Sequence, residues 1–277
     1  MTFENGIFTG EPADAYHAKK QFISSSPLVE MAKSPLHFYN AWTETVETTD
    51  AMERGTFMHS LILEQDIAKY VARPLKDGRL IATNTKDYAA FLEANLGKTP
   101  IHPDLYNDAL AILTAACANK TFMKFYINSE VEQSVYGVHK ETGLPIKARP
   151  DMLAKDQLFI LDVKSVADIS RFEKQIFSLN YDVRLQHYVE TIFAATGRLV
   201  PHIYFFAIES KAPYGTKIFK LSAHAVEAAG IKWGAWMNEI AVCKEENKWP
   251  GFTDEIIEVD RPAYLDMGDL VFEGAAS

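Results

Sequence analysis

The segment from Ile146 to Ser165, IKARPDMLAKDQLFILDVKS, carries two carboxylates and a lysine at a spacing that could do chemistry. Asp151 follows Pro150, a turn is expected at Lys155-Asp156, and an apolar run then ends in Asp162-Val163-Lys164. In a strand, residues i and i+2 share a face. Asp162 and Lys164 are therefore expected side by side at the end of a buried strand, with the turn bringing Asp151 alongside. Paired carboxylates hold a hard cation such as Mg²⁺, and an ammonium beside them can position a water or neutralise a phosphate. That set suits phosphodiester hydrolysis. The strands alone leave a plainer reading open: an Asp162–Lys164 structural salt bridge, with Asp151 a turn residue.

An acid-x-Lys triplet is weak by itself and occurs three times, at Asp162-Val163-Lys164, Glu209-Ser210-Lys211 and Glu246-Asn247-Lys248. The last reads as a solvated helix face and the second as a loop after a strand. The first differs because its charges end an apolar strand, where a charge must be paired or metal-bound to be tolerated. Glu132, with Glu130 pointing the same way, could add a third carboxylate from the adjoining strand, although simple solvation explains either one. His59 follows Gly55 by one turn of an apolar helix, and a glycine there suggests close approach of another backbone. A lone histidine at such a place is more often a satisfied core residue than a ligand. Arg184, Gln186 and Tyr188 begin the helix after the lysine strand, where they could contact a phosphate or form an ordinary polar face. There is no GxxxxGK[ST] loop, Rossmann glycine pattern, HExxH, paired CxxC or GxSxG.

Several elements must position these groups. Residues 24–40 read as a capped helix interrupted at Ser34-Pro35, 51–70 as an apolar-faced helix, and 76–84 as a loop. Helices follow near 86–96 and 104–119. Residues 130–139 alternate as a strand, Glu141-Thr142-Gly143 turns, and 144–153 returns. Residues 157–164 form a third strand whose LFIL centre is apolar throughout, as in a strand buried on both faces. A helical stretch from Asp168, a stronger helix over 181–196, a buried strand over 200–208 and its partner over 217–221 come next. A long helix capped by Ser222 ends near Lys248, and an acidic tail closes the chain. This order implies an α/β fold, a mixed sheet flanked by helices with a helical N-terminal region. No linker separates domains, so residues 1–277 are expected to form one domain: a helical N-terminal region over residues 1–125, a catalytic sheet core over 126–250 and a tail over 251–277.

With 277 residues, 48% of them hydrophobic, the chain can bury a substantial core. No apolar run approaches the ~20 residues of a membrane span. The first residues lack a signal-peptide pattern, and Cys117 and Cys243 form no ligand motif, so a reduced, cytoplasmic protein is expected. The net charge of −9 argues against a protein that coats DNA electrostatically, but not against a nuclease with a confined site.

The ordered set DAYHAKKQFISSSPLVEMAKSPLHFYNAW, RGTFMHSLILE, VEQSVYG, IKARPDML, FILDVKSVADISRFEKQI and YDVRLQHYVE resembles the PD-(D/E)XK nucleases, most closely the RecE-type exonucleases (exonuclease VIII). The resemblance covers most of the chain and implies a restriction-endonuclease-like fold. It makes Asp151 and Asp162 the principal Mg²⁺ ligands (Mn²⁺ a substitute), supported by His59 and Glu132, with Lys164 positioning water or phosphate. Ser165 matches the small hydroxyl residue that often follows that lysine. The family often shows Gln-x-x-x-Tyr on the next helix. Here Arg184 stands four before Tyr188, with Gln186 two before. The resemblance implies a 5′-to-3′ exonuclease on linear double-stranded DNA that leaves 3′ single-stranded tails for phage or prophage recombination. It also implies a homo-oligomeric ring, trimer or tetramer, beside a single-strand-annealing partner of RecT type. A ring would reconcile the acidic charge with DNA binding by placing basic residues on one concave face. The alternatives are an endonuclease or single-strand nuclease of the same fold, as in defence, and a catalytically silent DNA-binding module.

Overall fold

The apolar strand that ends in Asp162 and Lys164 lies at the centre of the protein in a computed structural model, which describes residues 5–44, 57–59, 61–65 and 67–260. It runs Phe159–Val166 and pairs in parallel with His202–Glu209 along its whole length, from Phe159 opposite His202 to Val166 opposite Glu209. A parallel pair needs a long crossover. Here the crossover is made by two helices, Phe172–Ser178 and Tyr181–Thr196. The full sheet has five strands, ordered Thr216–Lys220, His202–Glu209, Phe159–Val166, Met152–Ala154, Ser129–Val131.

Both faces of this sheet are covered, which explains why its central strands are apolar throughout. On one face Ile160, Phe205 and Ala207 pack on Phe172, Ile176, Leu185 and Val189 of the crossover helices. On the other, Leu161, Val163, Phe206 and Ile208 meet Leu61, Ile62, Ile112 and Phe122. The rings of Phe122 and Phe206 stack at 4.1 Å. Burying one such side chain contributes about 1.5–3 kcal/mol. The long helix Ala223–Glu246 forms a third core with the N-terminal segment, through Trp233, Met237, Leu28 and Phe38.

The expected hairpin over 130–153 is present but broken in both strands. Residues 129–131 belong to the large sheet, whereas Ser134–Val138 and Pro145–Ala148 form a separate three-stranded sheet with Gly6–Phe8. The break falls at Glu132, whose φ of +48° interrupts the alternation, opposite Arg149-Pro150-Asp151. A proline cannot donate to a ladder, so the strands part there and the hairpin changes sheet. One hydrogen bond, Glu132 N–H to the Asp151 carbonyl at 3.1 Å, spans the break.

Other departures are smaller. A portion of the 76–84 loop forms a two-residue hairpin, Leu75–Lys76 with Arg79–Leu80. The short parallel pair Tyr70–Ala72 and Thr99–Ile101 has no alternation to announce it. Asn119 ends one helix and caps the next, Lys120–Ile127. The helix expected over 51–70 lies partly outside the described residues, and Gly55 with it. Residues 57–59 and 61–64 are helical.

Gly137 marks a close approach between the small sheet and the crossover helix. A Cβ there would sit 2.7 Å from the Ala194 Cβ and 3.2 Å from backbone atoms of Ala194 and Ala195. Backbone cannot yield as a side-chain tip can. Gly137→Ala is expected to destabilise the protein by about 1–3 kcal/mol in urea unfolding, and an unchanged midpoint would contradict this packing.

Candidate active site

Asp151 and Asp162 meet because of strand register. Ile160 pairs with Leu153 and Leu161 with Met152, so the next step places Asp162 opposite Asp151. Directly opposed residues share a face. Both are buried, at 7% and 2% exposure. Asp151 Oδ2 accepts the Val163 N–H at 2.6 Å and faces His59 Nε2 at 2.6 Å. Lys164 shares the face of Asp162 and its ammonium touches Asp162 Oδ2. That oxygen accepts no hydrogen bond of normal geometry. The Tyr181 ring lies 5.1 Å from the Lys164 ammonium and confines it.

The electrostatics follow from two like charges held out of water. Burial and the neighbouring Asp151 charge push Asp162 above the usual carboxylate range, against the pull of Lys164. Burial acts upward on Asp151 too, but His59, Lys164 and the Val163 N–H hold it below its ordinary value. Burial works against a proton on His59, and the Asp151 charge and hydrogen bond raise it regardless. Burial likewise opposes the Lys164 charge, and Asp162 with Asp151 keeps the ammonium protonated.

The crossover helix contributes by its phase. Residues i, i+3 and i+7 share a helix face while i and i+2 do not, so Tyr181, Arg184 and Tyr188 face the carboxylates. Burial, then Asp162, raises the Tyr188 phenol. Arg184 acts electrostatically on Asp162, donates from Nη2 to Ser26 Oγ at 2.8 Å, and leaves its buried Nε unpartnered. Ser25 Oγ lies 3.5 Å from the Tyr188 hydroxyl.

Three residues expected at the site are placed elsewhere. Gln186 turns to the long C-terminal helix, donating to Glu190 at 2.9 Å and packing beside Gly230. Ser165 is exposed, and strand alternation sends it to the face opposite Lys164. Glu132 lies next to Asp151 in the backbone, but its carboxylate pairs with Arg149 Nη2 at 3.2 Å. The positive φ at Glu132 also ends the shared direction with Glu130, which is exposed on the outer strand. Sequence reasoning does not single out Tyr181, Arg149, Ser25 or Ser26. Helical phase from Tyr188 identifies Tyr181. The serines look like helix caps, and only the tertiary fold brings them here.

Among the described residues no three His, Cys, Asp or Glu side chains are grouped to hold an ion by themselves. The donor set still fits a hard divalent cation. Two buried, opposed carboxylates repel each other, and one has an oxygen with only an ammonium for company. Mg²⁺ commonly takes one or two carboxylates and completes its shell with water and phosphate oxygens.

A family model described as a PDDEXK-like domain of unknown function (DUF3799) matches residues 24–260. No curated protein sequence matches the chain. Among solved structures, a protein of Eubacterium rectale to which exonuclease activity is attributed superposes with TM-score 0.62 at 14% identity, covering 94% of this chain and 97% of that one. The alkaline exonuclease of Laribacter hongkongensis gives TM-score 0.35 at 12% identity, over 85% of this chain and 96% of its own. A phage-related exonuclease of Haemophilus somnus 129PT gives 0.32 at 10%, over 66% and 94%. The first of these likenesses shows a shared fold, in keeping with the mixed sheet flanked by helices. With its family match spanning the carboxylates, the lysine and the crossover helix, the chain belongs to the PDDEXK-like domain family.

Proposed function

We propose that the protein is a Mg²⁺-dependent exodeoxyribonuclease that degrades the 5′-ended strand of linear double-stranded DNA and leaves a 3′ single-stranded tail for recombination. The observation that carries this reading is the buried Asp151–Asp162 pair with the Lys164 ammonium against it. The exonucleases among the structural relatives suggest the end-dependent form of the reaction, and the RecE-type resemblance suggests its polarity. Residues 1–277 act as one nuclease domain in this reading.

Asp151 and Asp162 would hold the cation, with His59 orienting Asp151 through its hydrogen bond. A bound divalent cation supplies a water made nucleophilic near neutral pH and draws charge from the phosphodiester. Lys164 stays protonated, so it serves as a hydrogen-bond donor to water or phosphate rather than as a base. Arg184, backed by Ser26, presents a second positive charge to the same phosphate. The Tyr188 phenol, kept neutral, can donate a hydrogen bond. Ring assembly and a single-strand-annealing partner belong to the same proposal. No helix among the described residues is long and apolar enough to cross a membrane.

The test uses linear duplex DNA labelled at one 5′ end, with Mg²⁺ or EDTA, beside a closed circle. Mg²⁺-dependent release of labelled mononucleotide from the linear substrate alone is the expected result. Cleavage of the circle would replace exonuclease by endonuclease. DNA binding without cleavage of either substrate would favour the silent module.

A further inference from the structure

The last described residues leave the protein as a solvated segment. Leu36 N–H donates to the Pro250 carbonyl at 3.0 Å and the Phe252 ring meets His37 at 5.2 Å, which pins the chain up to that point. From Thr253 to Val259 there is neither helix nor strand. Ile256, Ile257 and Val259 are 100%, 78% and 86% exposed. Adjacent apolar side chains left in water mark a contact surface.

Among the described residues the five-stranded sheet has an open edge to match, since its last strand, Thr216–Lys220, pairs there on one side only. Leu221 N–H donates to Ile203 and Glu209 N–H to Gly215 across this pair. In an antiparallel ladder the hydrogen-bonded residues alternate. Gly215, Lys217, Phe219 and Leu221 therefore spend their backbone groups inward, and Thr216, Ile218 and Lys220 direct theirs to the open edge. Such an edge is a template for another strand unless something blocks it.

The two segments are complementary residue by residue. The edge reads Lys217-Ile218-Phe219-Lys220 and the tail reads Glu255-Ile256-Ile257-Glu258. Laid antiparallel, Lys217 opposes Glu258, Ile218 opposes Ile257, Phe219 opposes Ile256 and Lys220 opposes Glu255. Both lysines are exposed, and Ile218 and Phe219 are half-buried, one on each face of the sheet. Each such cross-strand pair contributes about 0.2–1 kcal/mol. The described segment Thr253–Val259 does not pair with the edge of its own copy. The 24-residue helix Ala223–Glu246 begins just after that edge strand and carries the chain about 36 Å along its axis before the tail starts.

We propose that Thr253–Val259 of one copy adds as a strand to the Thr216–Lys220 edge of a second copy. A tail-to-edge contact uses two different surfaces on each copy, so it closes into a ring when the rotation between copies allows. Light scattering of the full chain is expected to show a multimer. Glu255→Lys with Glu258→Lys, and separately Lys217→Glu with Lys220→Glu, are each expected to weaken association about tenfold or more, with an unchanged circular dichroism spectrum. All four substitutions together are expected to restore it. A monomeric wild-type chain would overturn the proposal. So would either charge-swapped pair that keeps the wild-type association, or a folded fourfold variant that stays dissociated. The inference does not rest on the nuclease reading: an inactive protein that associates this way supports it, and an active monomer removes it.

Discussion

Asp162→Asn is expected to reduce cleavage by about 10³-fold or more while raising the melting temperature measured in EDTA. The two effects have one cause. Burial and the charge of Asp151 disfavour the ionised Asp162 carboxylate more than Lys164 and Arg184 favour it. A carboxyl raised in the folded state adds stability below its unfolded value, and that contribution is lost as pH rises through the folded one. Wherever Asp162 is ionised, the folded protein therefore carries an unfavourable charge, which a neutral isostere removes. Relief of this kind is worth about 0.5–2 kcal/mol, and Lys164 keeps Asp151 as a counter-charge. Lys164→Ala should also abolish cleavage, but with the opposite effect on stability, since it leaves two buried carboxylates with less compensation. Mg²⁺ should raise the melting temperature of the wild type and of Lys164→Ala, and leave Asp162→Asn little changed. A fall in stability for both variants, unaffected by Mg²⁺, would make Asp162–Lys164 a structural salt bridge.

This site is legible in the sequence wherever one strand or one register step decides it. Asp162 and Lys164 share a face because they are two apart, and Asp151 joins them because a short turn fixes the pairing. Gln186 shows the limit of reading a motif by residue type: its amide suits the chemistry, but its helical phase aims it at Gly230. Ser165 shows the same limit in a strand, where adjacency to Lys164 guarantees the wrong face. Glu132 is beyond such reading for another reason. Alternation over 130–139 is imperfect, with polar Gln133 between Val131 and Val135, but nothing local announces that the hairpin divides between two sheets. The division is set by tertiary demands, with Pro150 at the break and the Gly6–Phe8 strand completing the second sheet. The serines at 25 and 26 reach Tyr188 and Arg184 across more than 150 residues of chain. No periodicity encodes such a contact.

His187 lies one residue from Gln186 and fills a role that sequence alone does not suggest. It is fully buried, and its Nε2 lies 3.1 Å from the Lys147 carbonyl while Trp233 Nε1–H donates to its Nδ1 at 3.1 Å. These partners fix the neutral tautomer with the proton on Nε2. Burial lowers its pKa to about 4. An unfolded histidine binds a proton near pH 6.5, so between that value and about 4 the unfolded chain takes up a proton that the folded chain refuses. Stability from His187 is complete above the unfolded value and falls as pH drops through this window, by on the order of 3 kcal/mol in all. His59 works in the other direction, because its folded value is raised, so the net slope of unfolding free energy against pH mixes the two. NMR separates them. The His187 ring resonances should keep their neutral pattern at pH 5.5, while those of His59 are already those of the imidazolium. A His187 titration midpoint near 6.5 in the folded protein would show that the Trp233–His187–Lys147 chain opens to water. The packing of the long C-terminal helix on the crossover helix would then be looser than the structure has it.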